Sequence, residues 1–204
     1  MEKDIEIEIR GPLCRGEFDK LVRFLGVRGE KTAEKERVLI DYSTFLEGGL
    51  RERKKDIRLR VTNGIPEIIV KIGRWGEGER RRELSVTAGR GEFDKLVEIF
   101  GALGFQKGIL ATRRSKVFEY RGIEFALVEV PNHSYYYEAE KMASKNEDAD
   151  TITEEITGVC KELGLAIFSR EQFFQYIDQL NREANEVFDY TKYTPGYFRN
   201  RFKL

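Results

Sequence analysis

From Asp4 to Arg10 charged residues alternate with isoleucine: Asp4-Ile5-Glu6-Ile7-Glu8-Ile9-Arg10. Only an extended strand separates such a pattern, placing Glu6, Glu8 and Arg10 on one face and the three isoleucines on the other. Tyr136, Glu138 and Glu140 repeat the one-sided placement of two carboxylates far downstream. The wet face of a half-buried strand normally carries neutral or mixed polar residues. Two Glu-x-Glu strands imply instead a water-filled, charged interior able to hold a cation.

The other strand-like runs carry the same peculiarity. Arg58 and Arg60 oppose Ile57, Leu59 and Val61, and Lys71 ends the apolar run Ile68-Ile69-Val70. Arg81 and Glu83 share a face, as do Arg114 and Lys116, which fall with Phe118 and Tyr120. Glu129 interrupts Phe125-Ala126-Leu127-Val128, where an isolated carboxylate would be costly unless paired or wet. Salt bridges on a solvent face explain any one such strand. A set of them is better explained by an antiparallel barrel with apolar outer faces under helices and charged inner faces lining a channel.

Such an interior would set Glu6, Glu8, Glu83, Glu129, Glu138 and Glu140 against Arg10, Arg58, Arg60, Lys71, Arg114 and Lys116. This balance suits a polyanion carrying a divalent metal. Arg and Lys bind phosphate oxygens, and carboxylates give hard oxygen ligands to Mg²⁺ or Mn²⁺.

The octamer Arg15-Gly16-Glu17-Phe18-Asp19-Lys20-Leu21-Val22 recurs unchanged at 90–97. Both copies lead into an apolar helical stripe, so two strand–helix–strands halves about a pseudo-two-fold axis are expected. Strands are predicted near 3–10, 36–43, 56–63, 66–73, 80–87, 112–120, 123–131 and 134–142. Helices are predicted near 16–25, 91–103, 152–163 and 170–188. Asn63-Gly64 and Arg121-Gly122 mark hairpin turns, and the glycine-rich segment 73–78 reads as a loop. The expected division is a tunnel domain over 1–168 and a helical C-terminal extension over 169–204 packed on the same domain. Tyr190 to Leu204 interleaves aromatic and basic residues, a composition that suits RNA stacking, although a strap across the barrel or a dimer interface accounts for it more simply.

Composition narrows the function. Lys+Arg and Asp+Glu number 36 each, so there is no net field to draw in nucleic acid or a membrane surface. Nucleic acid is not an expected partner; a small triphosphate and a second copy of the chain are. Two cysteines make no disulfide framework, and no apolar run reaches transmembrane length, so a soluble cytoplasmic protein is expected. A single histidine, His133, in a Pro131-Asn132 turn, reads as a surface residue and leaves no material for a zinc site or a Ser-His-Asp triad. There is no P-loop.

These residues, in this order, resemble the CYTH domains, the triphosphate tunnel metalloenzymes that include class IV adenylate cyclases and inorganic and thiamine triphosphatases. Glu6-x-Glu8-x-Arg10 resembles the family's Glu-x-Glu-x-Lys signature, with Arg10 in place of lysine. Arg58-x-Arg60, Lys71, Arg114-x-Lys116, Glu129 (where the family has Asp) and Glu138-x-Glu140 are similar to its later motifs. Ser85 stands where a second carboxylate after Glu83 is common, and Ser43 where an Asp is usual. The look is closest to the class IV cyclase-like members.

The resemblance implies an α+β fold with an eight-stranded antiparallel tunnel. It also implies metal binding by Glu6, Glu8, Glu83, Glu129, Glu138 and Glu140. Substrate binding falls to Arg10, Arg58, Arg60, Lys71, Arg81, Arg114 and Lys116, with catalytic roles for Glu6, Arg10, Lys71 and Lys116. Attack by water would make the protein a triphosphatase, the favoured reading. Attack by the ribose 3′-hydroxyl of ATP would make it an adenylate cyclase. A binder that keeps the clamp without turnover is the third reading.

Overall fold

Alternation and turn chemistry build an antiparallel sheet that closes on itself. The computed structural model describes residues 3–73, 79–144 and 147–204; positions 74–78 of the expected glycine-rich loop lie outside them. The strands are β1 (Lys3–Leu13), β2 (Glu30–Asp41), β3 (Lys55–Thr62), β4 (Ile65–Ile72), β5 (Glu79–Thr87), β6 (Lys107–Tyr120), β7 (Ile123–Val130), β8 (Ser134–Ser144) and β9 (Glu186–Asp189). The helices are α1 (Arg15–Arg28), α2 (Gly49–Glu52), α3 (Phe93–Ala102), α4 (Ala149–Glu162), α5 (Arg170–Glu183) and α6 (Tyr197–Phe202).

The strand order is β2-β3-β4-β5-β1-β8-β7-β6-β9, and a β2–β6 pairing closes the first eight into a ring. Exchanging β1–β4 for β5–β8 reverses that order and leaves every neighbour unchanged, the topological signature of the expected two-fold relation. Both tight hairpins fall as expected, with Asn63 and Gly64 at φ 50° and 80° and Arg121 and Gly122 at 53° and 72°. Such paired left-handed residues match the twist of the flanking strands.

The ninth strand was not anticipated. The predicted helix over 170–188 ends at Glu183 and the chain turns extended, pairing Val187 with Ile109 and Phe188 with Gly108. Burial of Phe188 in the aromatic core outweighs continued helical propensity there. β2 also starts earlier than predicted, at Glu30, because its polar first half pairs with β6 rather than burying a side.

Helices cover much of the ring's outside. α1 and α4 lay Phe18, Leu21, Leu25, Ile152 and Ile156 on Ile7, Ile9, Phe125 and Leu127. α3 lays Phe93 and Val97 on Ile40, Leu59 and Val61, together with Phe198 of α6. Tyr190, Tyr193, Tyr197, Phe202 and Leu204 join this second core, so the aromatic C-terminus straps the ring. Outside β4 and β5 the apolar residues Ile72, Leu84 and Val86 stay exposed. Among the described residues no helix is long and apolar enough to cross a membrane.

The two octamers have diverged in context. In the first, Cys14 caps α1, its side chain accepting from the Glu17 amide while Glu17 accepts from the Cys14 amide. In the second the helix starts only at Phe93, and Asp94 turns inward. Its carboxylate accepts from the Phe198 and Arg199 amides at 3.1 and 3.0 Å and from the Tyr193 hydroxyl at 2.8 Å, capping α6.

Candidate active site

The ring encloses a cavity of about 630 Å³. Its wall is made by the inward residues of each strand, and the two-residue period brings distant segments together. β1 contributes Glu6, Glu8 and Arg10; β3, Arg58 and Arg60; β4, Lys71; β5, Glu83 and Ser85; β8, Glu138 and Glu140. Nine of the sequence-predicted site residues therefore meet in one space.

Inside it charge is densely paired. Arg10 reaches Glu8 at 2.6 Å and Glu138 at 3.4 Å. Lys71 Nζ lies 2.7 Å from a Glu6 oxygen and 3.1 Å from Glu83. Arg60 donates to Glu67 at 2.7 Å. Arg58 forms a two-bond pair with Asp56, one contact at 2.9 Å. Pairing of this kind is what permits so many buried charges.

The carboxylates differ in what surrounds them. Burial works to raise the pKa of Glu6, but Lys71 overcomes it and carries the group down to about 2. Burial also opposes ionisation of Glu138, yet Arg10, Arg37 and Lys71 hold it below its usual range. Glu140 lacks comparable cations, and burial, then Glu6 and Glu138, push it up to about 7. Glu6, Glu8 and Glu140 each offer an oxygen within 4.8 Å of the others. Three hard oxygen donors at that spacing suit a metal cation.

Four predicted residues are placed elsewhere. Arg114 and Lys116 sit on the outer face of β6 with Phe118, which packs in the α1 core. Arg114 is 60% exposed and pairs with Glu36 at 3.6 Å, and Lys116 lies across from Glu34. Glu129 is likewise outward, in register with Arg114 and on the face of Phe125 and Leu127. Because the strand period is two, a one-residue shift in reading these strands turns the whole set over. Arg81 does point inward but is 1% exposed, held by Asp56 at 3.0 Å and Glu8 at 3.5 Å, behind the cavity wall rather than on it.

The interior residues of those strands are Ile109, Ala111 and Arg113 on β6 and Glu124, Ala126 and Val128 on β7. β2 adds Lys35, Arg37, Leu39 and Asp41. The alternation of Arg37, Leu39 and Asp41 with Val38, Ile40 and Tyr42 could have revealed that face. β7 could not have been oriented in this way, being apolar on both sides.

The C-terminal extension also reaches the cavity. Ser169 caps α5 in a reciprocal pair with Gln172, and Phe173, Tyr176, Ile177, Asn181 and Asn185 line the wall. Phe173 stacks under the Arg10 guanidinium, 4.8 Å from its ring centre. His133, read from the sequence as a surface residue, is tethered beside this helix: its ring meets Ser134 at 2.8 Å and Glu183 at 3.0 Å, and Ser134 in turn meets Tyr176 at 2.8 Å.

No protein-family model matches this sequence, and no curated protein does. Solved structures do. A protein from Pyrococcus horikoshii aligns with 19% identity and a TM-score of 0.65 over 80% of this chain and 94% of that one. An adenylate cyclase candidate from Vibrio parahaemolyticus aligns with 15% identity and a TM-score of 0.60 over 81% and 91%. An adenylyl cyclase candidate from Hippeastrum, with a dominant triphosphatase activity, aligns with 13% identity and a TM-score of 0.51 over 80% and 89%. This chain shares their fold. The likeness to class IV cyclase-like proteins read from the sequence is therefore matched by its three-dimensional architecture.

Proposed function

We propose that this protein is a divalent-metal-dependent phosphohydrolase acting on a small triphosphate inside the charged cavity. The observation that carries the reading is the meeting of the Glu6–Glu8–Glu140 cluster with Arg10, Arg58, Arg60 and Lys71 in one enclosed space. The dominant triphosphatase activity of the Hippeastrum protein supports hydrolysis over cyclisation.

In this reading Glu6, Glu8 and Glu140 hold Mg²⁺ or Mn²⁺, and Glu83 and Glu138 orient the neighbouring Lys71 and Arg10. Bound there, the cation would supply charge neutralisation of phosphate oxygens. Glu140, pushed up to about 7, is close to half protonated at neutral pH, and a bound cation would favour its ionised form, so metal uptake would release protons. Arg10, Arg58, Arg60 and Lys71 exchange part of their carboxylate contacts for phosphate oxygens and stabilise the charge that develops in phosphoryl transfer. Arg114, Lys116 and Glu129, on the outside, have no part in it.

The deciding experiment incubates the protein with ATP or tripolyphosphate and Mg²⁺ or Mn²⁺ and separates cyclic AMP, ADP, pyrophosphate and phosphate. Metal-dependent release of phosphate or pyrophosphate from the chain end, lost in Glu8→Gln, is expected. Cyclic AMP with pyrophosphate would establish the cyclase instead. The absence of any metal-dependent product would leave a polyphosphate binder.

A further inference from the structure

The cavity is chemically two-sided. On β1 and β8 it presents Glu6, Glu8, Glu138 and Glu140, whereas its described lining residues on β6, on α5 and just after α5 include no carboxylate. There Ile109 and Ala111 of β6 share the lining with Tyr176, Ile177 and Asn181 of α5 and with Asn185 beyond it. The end of α5 is tied to β6, because Asn185 accepts from Arg113 at 3.1 Å and leads into β9, which runs beside Ile109 and Leu110. α5 lies in the C-terminal extension, past Glu138-x-Glu140, the last of the motifs similar to the CYTH domains.

The two amides on this side have a fixed polarity. Arginine only donates, so the Asn185 atom facing Arg113 is its oxygen, and its nitrogen turns to Asn181 at 2.8 Å. Asn181 therefore meets it with its own oxygen. The Asn181 amide nitrogen, which carries two donors, is left without a hydrogen-bond partner among the described residues. One helical turn away Tyr176 is held on three sides. Its hydroxyl meets Ser134 at 2.8 Å, its ring stacks on Phe168 with centroids 5.2 Å apart, and Tyr136 lies edge-on at 5.8 Å. A ring locked in this way is a preorganised surface.

Apolar surface strips water from a phosphate and returns no hydrogen bond, so Ile109, Ala111, Tyr176 and Ile177 offer little to an inorganic polyanion. Apolar walls with a few placed polar groups, in a cavity of about 630 Å³, suit an organic ring. We propose that α5 and the facing stretch of β6 form a subsite for an uncharged heteroaromatic ring whose edge carries a hydrogen-bond acceptor, met by the Asn181 amide nitrogen. The ring arrives on the same ligand as the phosphates, so the substrate is an organic triphosphate and not an inorganic one. This rests on the reading of the cavity as a triphosphate site and narrows it. The Arg113 guanidinium beside Asn185 disfavours a cationic ring.

The test is calorimetric titration of ATP, GTP, CTP, UTP, ribose 5-triphosphate and tripolyphosphate, in EDTA and again with Ca²⁺. Ribose 5-triphosphate carries the charge of a nucleotide without its ring. In wild type at least one nucleoside triphosphate should bind about five- to a hundred-fold more tightly than ribose 5-triphosphate. Asn181→Ala should weaken that nucleotide about three- to tenfold more than it weakens ribose 5-triphosphate. Ala111→Leu, which fills the space beside the ring, should erase the preference. Each variant is compared between two ligands of equal charge, so a loss of folded protein lowers both alike and does not imitate the result.

A wild type that binds no nucleoside triphosphate more tightly than ribose 5-triphosphate overturns the subsite, as does a preference that survives in both variants. Metal-dependent hydrolysis of tripolyphosphate without any preference for the ring removes the subsite and leaves the phosphohydrolase standing. A preference for the ring, lost in the variants, together with absent turnover in wild type keeps the subsite and removes the phosphohydrolase. Failure of wild type to bind any of the six ligands removes both.

Discussion

Glu140 is the site's most informative lever, because it is a carboxylate held in the wrong charge state. Its pKa rises from the ordinary 4.5 to about 7 through burial and the neighbouring Glu6 and Glu138. At one pKa unit per about 1.4 kcal/mol, ionising it in the folded state costs about 3 kcal/mol more than in the unfolded chain. The sign follows from proton counting. Between 4.5 and about 7 the folded protein holds a proton that the unfolded chain has lost. The associated stability is therefore complete below 4.5 and is lost as the pH rises through 7. By pH 8 nearly all of the cost is incurred, whereas at pH 5 less than about 1 kcal/mol of it is.

Glu140→Gln replaces the carboxylate with a neutral group of similar shape. In EDTA at pH 8 the variant should be more stable than wild type by about 1–3 kcal/mol, the lower end allowing for sharing of the shift with Glu6 and Glu138. For a chain of this size that is about 3–10 °C in Tm. At pH 5 most of the difference should vanish. Mg²⁺ at a hundredfold excess over its dissociation constant should return about 2.7 kcal/mol to wild type, and distinctly less to the variant. Calorimetric melting at pH 5 and 8, with EDTA or Mg²⁺, measures all four quantities. A Tm difference independent of pH, or a variant less stable than wild type at pH 8, would refute the electrostatic account of the cluster.

Three further outcomes follow from the fold. Asp94→Ala should cost about 2 kcal/mol or more, since it strips the cap from α6. The same change at Asp19, the exposed equivalent in the first octamer, should stay within about 0.5 kcal/mol; urea melts of the two variants decide it. Gly11→Ala should fail to fold or melt far below wild type, because a Cβ there would lie 1.8 Å from the Ala166 carbonyl oxygen, and circular dichroism shows which. Leu25→Ala, in the fully buried α1 contact, should lose about 2–5 kcal/mol in the same melts while leaving tripolyphosphate affinity unchanged.

How much was legible depended on how sharply each strand's two faces differ. Along Asp4–Arg10 the contrast between isoleucine and charge admits a single orientation, and Glu6, Glu8 and Arg10 could be placed inside from sequence alone. Arg58, Arg60, Glu138 and Glu140 followed from the same contrast, Lys71 stood out only as the lone charge ending an apolar run, and the repeated octamer announced two related halves. Local pattern was enough wherever one face had to be dry and the other wet.

Elsewhere the tertiary structure decided. Arg114, Lys116 and Glu129 lie on strands with apolar residues on both faces, because β6 and β7 are covered by helices outside and by apolar wall residues such as Val117, Ala126 and Val128 inside. With apolar residues on both faces, hydrophobicity carries no parity, and only pairing with β2 and β8 sets which charges turn inward. The same closure places Arg37 opposite Arg113 and brings Asn185 and Tyr176 into the cavity from the far end of the chain. Pairings between segments some 70 residues apart in sequence are settled by the energy of the closed ring as a whole, and no local stretch of the chain contains that information.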